Sequence, residues 1–419
     1  MAKILISPIG LGGRFKNKDN YDREYQDTCY KIDDKSYPSS RFMASVLYKH
    51  LNLDGIVFIG TVKSMWEEVY RFFCEDNNQK FNEEYWLELA TQIDSLNYNS
   101  GLEKLDLSKI QQVLGNRSEC ILIKYGLNQN ELWDNFDRII QIVDSLQQGD
   151  KLYIDITHSF RSLSLFLFLT LIFINDLASE KEIEVAGVYY GMLDVTRELG
   201  HTPVVDLKSL FDMTSWVKGA YSLKTYGDGY LIAELLKHEG EEQLANQIEK
   251  LSEAVNINYV DAIKQRSSTL KSSLQKEVLN TPFRYLRQKL VNFVDKFARS
   301  SNKDESQFQL ELAEWYFQNK RYATGYITLT EAIITYVCEI HNIDIRDESN
   351  RNSMKTLLHS SENKNSALAQ IYFKVNPIRL SIAHALLERD NRTQSDDNAI
   401  KNAKLYLQEI KRIFRTKKL

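Results

Sequence analysis

Residues 151–177 read KLYIDITHSFRSLSLFLFLTLIFINDL. The segment 151–156 is short and β-rich, Thr157, His158 and Ser159 form a polar turn, and 163–177 carries a helical pattern. The longest apolar run of the chain, 163–174, is interrupted by Ser164 and Thr170 and is too short to span a bilayer, so a buried helix is expected. A strand that passes through a polar turn into an apolar helix is half of a βαβ unit, and the flanking sequence repeats the theme. Further strands are expected at 3–7, 55–60, 120–125 and 184–190, and helices at 41–51, 64–73, 85–96 and 131–146. Nearly continuous apolar strands alternating with amphipathic helices predict a parallel sheet covered on both faces, a Rossmann-like α/β domain.

After Thr202, Pro203 and the short run 204–207 the character changes. The segments 230–251, 259–297, 307–339 and 377–387 read as amphipathic helices, while 299–306 and 346–355 are polar and expected to be loops. The second half is therefore expected to be all-α. At 419 residues two domains are expected, 1–206 and 207–419. The 53 basic and 57 acidic residues give a net charge of -4, which argues against electrostatic wrapping of duplex nucleic acid. Cys29, Cys74, Cys120 and Cys338 show no paired spacing and read as reduced cytosolic thiols, neither a disulfide framework nor a zinc knuckle. Residues 1–9 lack the basic and long apolar segments of a signal peptide, so neither secretion nor a membrane is expected.

Ligands of open parallel sheets bind beyond the carboxyl ends of the strands. Reading those positions gives Ser7, Gly10, Leu11, Gly12 and Gly13 after the first strand, and Thr61, Lys63 and Ser64 after the second. Thr157, His158, Ser159 and Arg161 follow the fourth, and Gly191, Met192 and Asp194 the fifth. Glycines that admit backbone amides, hydroxyls, a helix start after Ser159 and the Arg161 fork suit an anionic, nucleotide-like ligand. The GLGG run at 10–13 lacks the third glycine of a dinucleotide fingerprint and precedes a long polar loop, and no nucleoside-triphosphate P-loop is present. The same residues also serve ordinary structural ends: Ser159 as an N-cap, Thr157 and His158 as turn formers, and Gly12 and Gly13 as a bend.

In the second half, Asn376 and Pro377 resemble a helix start, with Asn as N-cap and Pro at the first helical position. Arg379 would then oppose the helix dipole, which makes sense if it and the free amides share an anion. His384 lies five positions on, about 140° around a helix. An imidazole that moves protons near neutral pH and a guanidinium that stabilises a pentavalent phosphorus can cleave RNA through its own 2′-OH without a metal. No cluster of carboxylates or histidines with metal-ligand spacing surrounds the pair. Attack and departure need both a base and an acid, which a two-fold dimer would supply. His201, His238, His341 and His359 have no recognisable partners, and Trp315, Tyr316, Tyr322, Tyr326 and Tyr336 read as helix-bundle core.

Together these sites resemble the CRISPR-associated ribonucleases of type III systems that join a CARF sensor domain to a HEPN nuclease domain. The resemblance is carried by KILISPIG at 3–10, FIGT at 58–61, SMW at 64–66 and DITHSFRS at 155–162. To these are added YG at 190–191, ELAEW at 311–315 and RLSIAH at 379–384. It implies a CARF domain that binds a cyclic oligoadenylate at a dimer interface, and a HEPN domain in which Arg379 and His384 cut single-stranded RNA. Cyclic tetra-adenylate is the expected activator and cyclic hexa-adenylate the alternative, with no other cofactor and no metal. A possible further activity is slow cleavage of the ring by the sensor. Leu380 departs from the polar residue many members carry after the arginine, leaving Ser381 or Asn376 to supply that contact. The rival reading is a non-catalytic nucleotide-responsive regulator whose helical half binds a partner or DNA.

Overall fold

The strand Lys3–Pro8 (β1) sends Leu5 into one apolar layer and Ile4 and Ile6 into another, and Gly55–Gly60 (β6) does the same with Ile56 and Phe58 against Val57 and Ile59. A strand whose side chains are buried on both sides must have helices on both faces. The computed structural model describes residues 1–16, 21–159, 161–177, 179–275, 281–298, 304–384 and 396–419. The other strands of the first unit are Gly13–Lys16 (β2), Tyr21–Glu24 (β3), Thr28–Ile32 (β4), Lys35–Ser40 (β5), Glu119–Leu122 (β7), Lys151–Asp155 (β8), Glu184–Gly191 (β9) and Thr202–Asp206 (β10). Its helices are Met43–Leu51 (α1), Trp66–Asp76 (α2), Glu83–Ser95 (α3), Ser108–Leu114 (α4), Gln129–Ser145 (α5), Arg161–Leu177 (α6) and Thr196–Leu199 (α7).

Eight strands form one sheet in the order β5-β4-β10-β9-β8-β1-β6-β7. The five strands read from the sequence form its parallel core, but the sheet is mixed: β10 runs antiparallel to β9, and β4 and β5 form an antiparallel edge pair. The expected long polar loop after Gly13 is instead the β2–β3 hairpin followed by this edge. Its strands are inconspicuous because only Thr28, Tyr30 and Ile32 of β4 point inward, and Pro38 sits in the terminal strand β5, where a missing N–H costs no ladder bond. Nor is α6 buried all round. Leu163, Leu167, Leu171 and Ile174 join the core, while Leu165 and Leu169 remain 65% and 57% exposed.

The helix Lys208–Tyr226 (α8) contains the division between two compact units, Met1–Thr214 and Ser215–Leu419. The second unit is helical: Tyr230–His238 (α9), Glu242–Asn256 (α10), Val260–Leu274 (α11), Thr281–Val294 (α12), Glu305–Gln318 (α13), Tyr322–Ile340 (α14), Glu348–His359 (α15), Ala367–Ala383 (α16) and Asp396–Thr416 (α17). Three long helices expected from periodicity are each two. Gly240 and Lys320 take positive φ at two of the breaks, and residues 276–280 at the third lie outside the described set. The expected loop 346–355 is largely α15, started by Asp347, whose carboxylate accepts from the Asn350 amide at 2.8 Å. Trp315, Tyr316, Tyr326 and Tyr336 are buried, as their reading as bundle core required. Among the described residues no helix is long and apolar enough to cross a membrane.

Candidate functional site

Within the parallel core β1 and β8 are neighbours flanked on opposite sides by β6 and β9, and the loops beyond their carboxyl ends border the crevice where open parallel sheets bind ligands. Asp155, the last residue of β8, is fully buried there. It accepts from Ser7 Oγ at 2.9 Å and from the Thr157 amide at 2.9 Å. Burial pushes its carboxyl above the usual carboxylate range, and the bonds from Thr157 and Ser7 work against that rise. Thr157 Oγ1 in turn accepts from the Gly191 amide at 2.9 Å, and a Cβ on Gly191 would come within 3.2 Å of that hydroxyl. Ser7, Thr157 and Gly191 are therefore gathered as expected, but their polar groups are committed to Asp155 and to one another.

Gly10 approaches the same loop so closely that a Cβ there would lie 2.9 Å from the His158 carbonyl. Its amide donates to Tyr25 Oη at 2.7 Å and its carbonyl accepts from the Met65 amide at 3.1 Å. The Tyr25 ring stacks on His158 with centroids 4.0 Å apart. His158 is 9% exposed, and burial holds its pKa down at about 4, so the ring is neutral at pH 7. Its Nε2 is buried and finds no hydrogen-bond partner among the described residues. Gly12 takes φ +68°, the left-handed region that favours glycine.

After β6, Ser64 Oγ accepts from the Thr61 amide at 2.9 Å and donates to the Ile9 carbonyl at 2.9 Å, so this buried hydroxyl holds the loop together. Lys63 lies in the same loop, its amide donating to Thr61 Oγ1 at 3.3 Å. Its Nζ donates to the carbonyls of Ile93 and Asp94 at 2.9 and 3.1 Å, capping the end of α3. Leu11 is 39% exposed, Ser159 and Met192 are half-buried, and Asp194 is exposed. Arg161 opens α6, and its side chain lies outside the described set. Beside Thr61, at the carboxyl ends of β6 and β7, is a cavity of about 240 Å³ walled by Ile123, Lys124, Tyr125, Leu132, Asn135, Leu163 and Phe166. Tyr25 and Asp155 were missed as site residues. The signal for Asp155 was available, an acid ending an apolar strand, whereas Tyr25 arrives from a hairpin the sequence did not reveal.

In the helical unit the expected helix start at Pro377 is overturned. Ser366 caps α16, and Pro377 lies inside that helix, ten residues past its first residue, Ala367. Arg379 thus sits near the carboxyl end, where a cation suits the helix dipole, so the argument from an opposed dipole falls. It also has a local partner. Arg379 Nη2 lies 3.9 Å from Glu331 Oε1 of α14, while Arg351 of α15 donates to Glu331 Oε2 at 2.5 Å. Arg379 Nε is buried without a hydrogen-bond partner among the described residues. His384 terminates α16, its amide donating to the Leu380 carbonyl at 3.0 Å and its ring exposed. The expected continuation to residue 387 enters 385–395, outside the described residues. Among the described residues no three His, Cys, Asp or Glu side chains are grouped to hold a metal.

Residues 4–194 match the family model described as the CARF domain of the CRISPR system endoribonuclease Csx1, and residues 212–304 match that of the second domain of the CRISPR-associated protein MJ1674. Over 98% of its length the chain is 36% identical to CRISPR-associated protein MJ1674 of Methanocaldococcus jannaschii, and it spans 66% of that relative. The structure of Enterococcus italicus Csm6 bound to cyclic hexa-2′-fluoro-hexa-dAMP aligns with a TM-score of 0.39 at 13% identity, covering 100% of this chain and 94% of that one. Residues 4–194 are therefore a CARF domain of the Csx1 type, in a chain similar over nearly all its length to a CRISPR-associated protein.

Proposed function

We propose that this protein is a cyclic-oligoadenylate-activated endoribonuclease that cuts single-stranded RNA without a metal, as a homodimer, in type III CRISPR defence. Residues 1–206 act as the sensor, and 207–419 contain a connector and a HEPN nuclease domain. The observation that carries the reading is the pairing of a CARF domain with an under-coordinated arginine, Arg379, and an exposed histidine, His384, at the end of one helix. In the reaction, one His384 imidazole takes the ribose 2′-OH proton and the 2′-oxygen attacks phosphorus. Arg379 stabilises the charge on the phosphoryl oxygens, and the partner subunit's copy of the same imidazole returns a proton to the departing 5′-oxygen. The products are a 2′,3′-cyclic phosphate and a 5′-hydroxyl.

The ring is placed over the β1–β8 crevice, where the orphaned His158 Nε2 offers a neutral hydrogen-bonding group and Gly10 lets backbone approach. The exposed ridge Leu165, Leu169 and Phe173 on α6 supports a second copy bringing its crevice alongside, since such a ridge is costly to leave in water. Cyclic tetra-adenylate is the expected activator. The test is cleavage of a labelled RNA in EDTA with cyclic tetra-adenylate, cyclic hexa-adenylate or neither. Cleavage only with a ring supports the reading, and ring binding without cleavage would favour a non-catalytic regulator.

A further inference from the structure

Three elements of the helical unit converge on one carboxylate. Glu331 of α14 faces Arg351 of α15 through Oε2 and Arg379 of α16 through Oε1, at 2.5 and 3.9 Å. The two arginines are not equivalent. Arg351 is the more fully bonded, because its Nη1 also donates to Thr335 Oγ1 at 3.1 Å and to the Ile345 carbonyl at 3.0 Å. Arg379 has one ionic contact, too long for a hydrogen bond, and an Nε buried without a partner among the described residues. One carboxylate between two guanidiniums leaves a net positive charge, and it resides on the arginine with spare donors. A guanidinium with N–H groups to spare is the donor that grips phosphate oxygens. Burial pushes the Tyr372 hydroxyl up, with the Glu331 charge adding to the rise and the Arg379 charge opposing it.

We propose that Glu331 is a positioning residue for the RNA cleavage proposed above: shared between Arg351 and Arg379, its carboxylate fixes the Arg379 guanidinium in place while Arg351 keeps it from neutralising that charge. The role rests on the nuclease reading. Removing the carboxylate frees Arg379 to wander, and a misplacement of about 1 Å can cost about 10²-fold in rate. Removing Arg351 instead releases the carboxylate to close on Arg379 and compete with the RNA phosphate.

The test uses the full chain in EDTA with cyclic tetra-adenylate and, in parallel, cyclic hexa-adenylate, on a single-stranded RNA cleaved at one linkage. That linkage is made as each phosphorothioate diastereomer. Glu331→Gln is expected to lower kcat about 10- to 100-fold with KM within about threefold, and to erase the preference between diastereomers that a fixed guanidinium imposes. Arg351→Gln is expected to raise KM about tenfold instead. A kcat and diastereomer preference in Glu331→Gln equal to wild type, or a loss of rate accounted for by a lowered folded fraction, overturns the role. Should Glu331→Gln not fold, Glu331→Asp gives the same readout, because its shorter stem cannot reach both arginines. If the wild-type chain cleaves no RNA with either ring, the nuclease reading falls and takes the positioning role with it. If wild type cleaves and the variants behave as wild type, the positioning role alone falls.

Discussion

Tyr25 lies nearly parallel to His158, the ring planes 20° apart, and its hydroxyl accepts from the Gly10 amide at 2.7 Å. One side chain from the β3–β4 connection thus braces both loops of the crevice, the one after β1 and the one after β8. Tyr25→Ala removes the stack and this hydrogen bond together. It is expected to raise the concentration of ring needed for half-maximal RNA cleavage about tenfold or more, with the plateau at saturating ring retained. A lowered plateau at an unchanged midpoint would show that Tyr25 acts elsewhere.

The burial of His158 makes an acid-dependent prediction. Its folded pKa of about 4 lies below the unfolded value of about 6.5, so between those limits the unfolded chain binds the extra proton. Stability then falls as pH drops from about 6.5 to 4, by up to about 3 kcal/mol from this group alone. The raised carboxyl of Asp155 acts with the opposite sign, contributing stability that is lost as pH rises, so the two must be separated. Urea unfolding of wild type and His158→Gln across pH 4 to 7 does so. The difference between them should shrink toward acid pH, and a difference independent of pH would mean that His158 is not neutral when folded.

Lys63 provides a test of where the sensor's cations are spent. Since its ammonium caps α3 through the Ile93 and Asp94 carbonyls, Lys63→Met should cost about 1 kcal/mol of stability and leave ring affinity within about twofold. Calorimetric titration with cyclic tetra-adenylate decides it. A tenfold loss of affinity would place Lys63 in the ligand site.

How far these features could be read from sequence depended on what carried each signal. The parallel core was legible because β1, β6 and β8 are buried on both faces and read as apolar runs. The edge strands were not, since β4 shows only alternate inward residues in a polar stretch and β5 none but its last. The loops after β1 and β8 were found as a cluster, yet which polar atoms remained free depended on Asp155, Tyr25 and the α3 carbonyls, partners far away in sequence. Pro377 misled because proline usually opens a helix, and here it lies within one that Ser366 had already started. Glu331 had no signature at all. Its meaning comes from three helices meeting, which no local spacing encodes.

His384→Ala and Arg379→Ala should each abolish RNA cleavage, by at least the roughly 10²- to 10⁴-fold typical of lost acid-base chemistry, while ring binding persists. Their stabilities should differ. The His384 ring is exposed and its loss should leave the melting temperature unchanged, whereas Arg379→Ala removes a partner of Glu331 and should lower it slightly. Products examined by end-group analysis should carry 2′,3′-cyclic phosphate, and 5′-phosphate ends would sink the mechanism. Cleavage within a few-fold of wild type in His384→Ala would make the histidine a simple helix terminator.

Activation should depend on the α6 ridge. Leu165, Leu169 and Phe173 recur every four residues on a helix whose other face, Leu163, Leu167, Leu171 and Ile174, is already in the core. If two copies pack there, one ring bound across the two-fold axis contacts both crevices equally. To carry the nuclease from about 1% to 99% competent, the ring must favour the active arrangement by roughly 5.5 kcal/mol. Hydrogen bonds to charged groups contribute roughly 1.5 to 3 kcal/mol each, so about two to four such contacts, shared between the subunits, suffice. Leu169→Glu, at a position 57% exposed in the single chain, leaves the fold intact but places two carboxylates in the interface. It should sediment as a monomer and remain inactive at ring concentrations that saturate wild type. Calorimetry on wild type should give one ring per two chains. A dimeric, fully activated Leu169→Glu, or two rings per dimer, would rule out a switch built across this ridge.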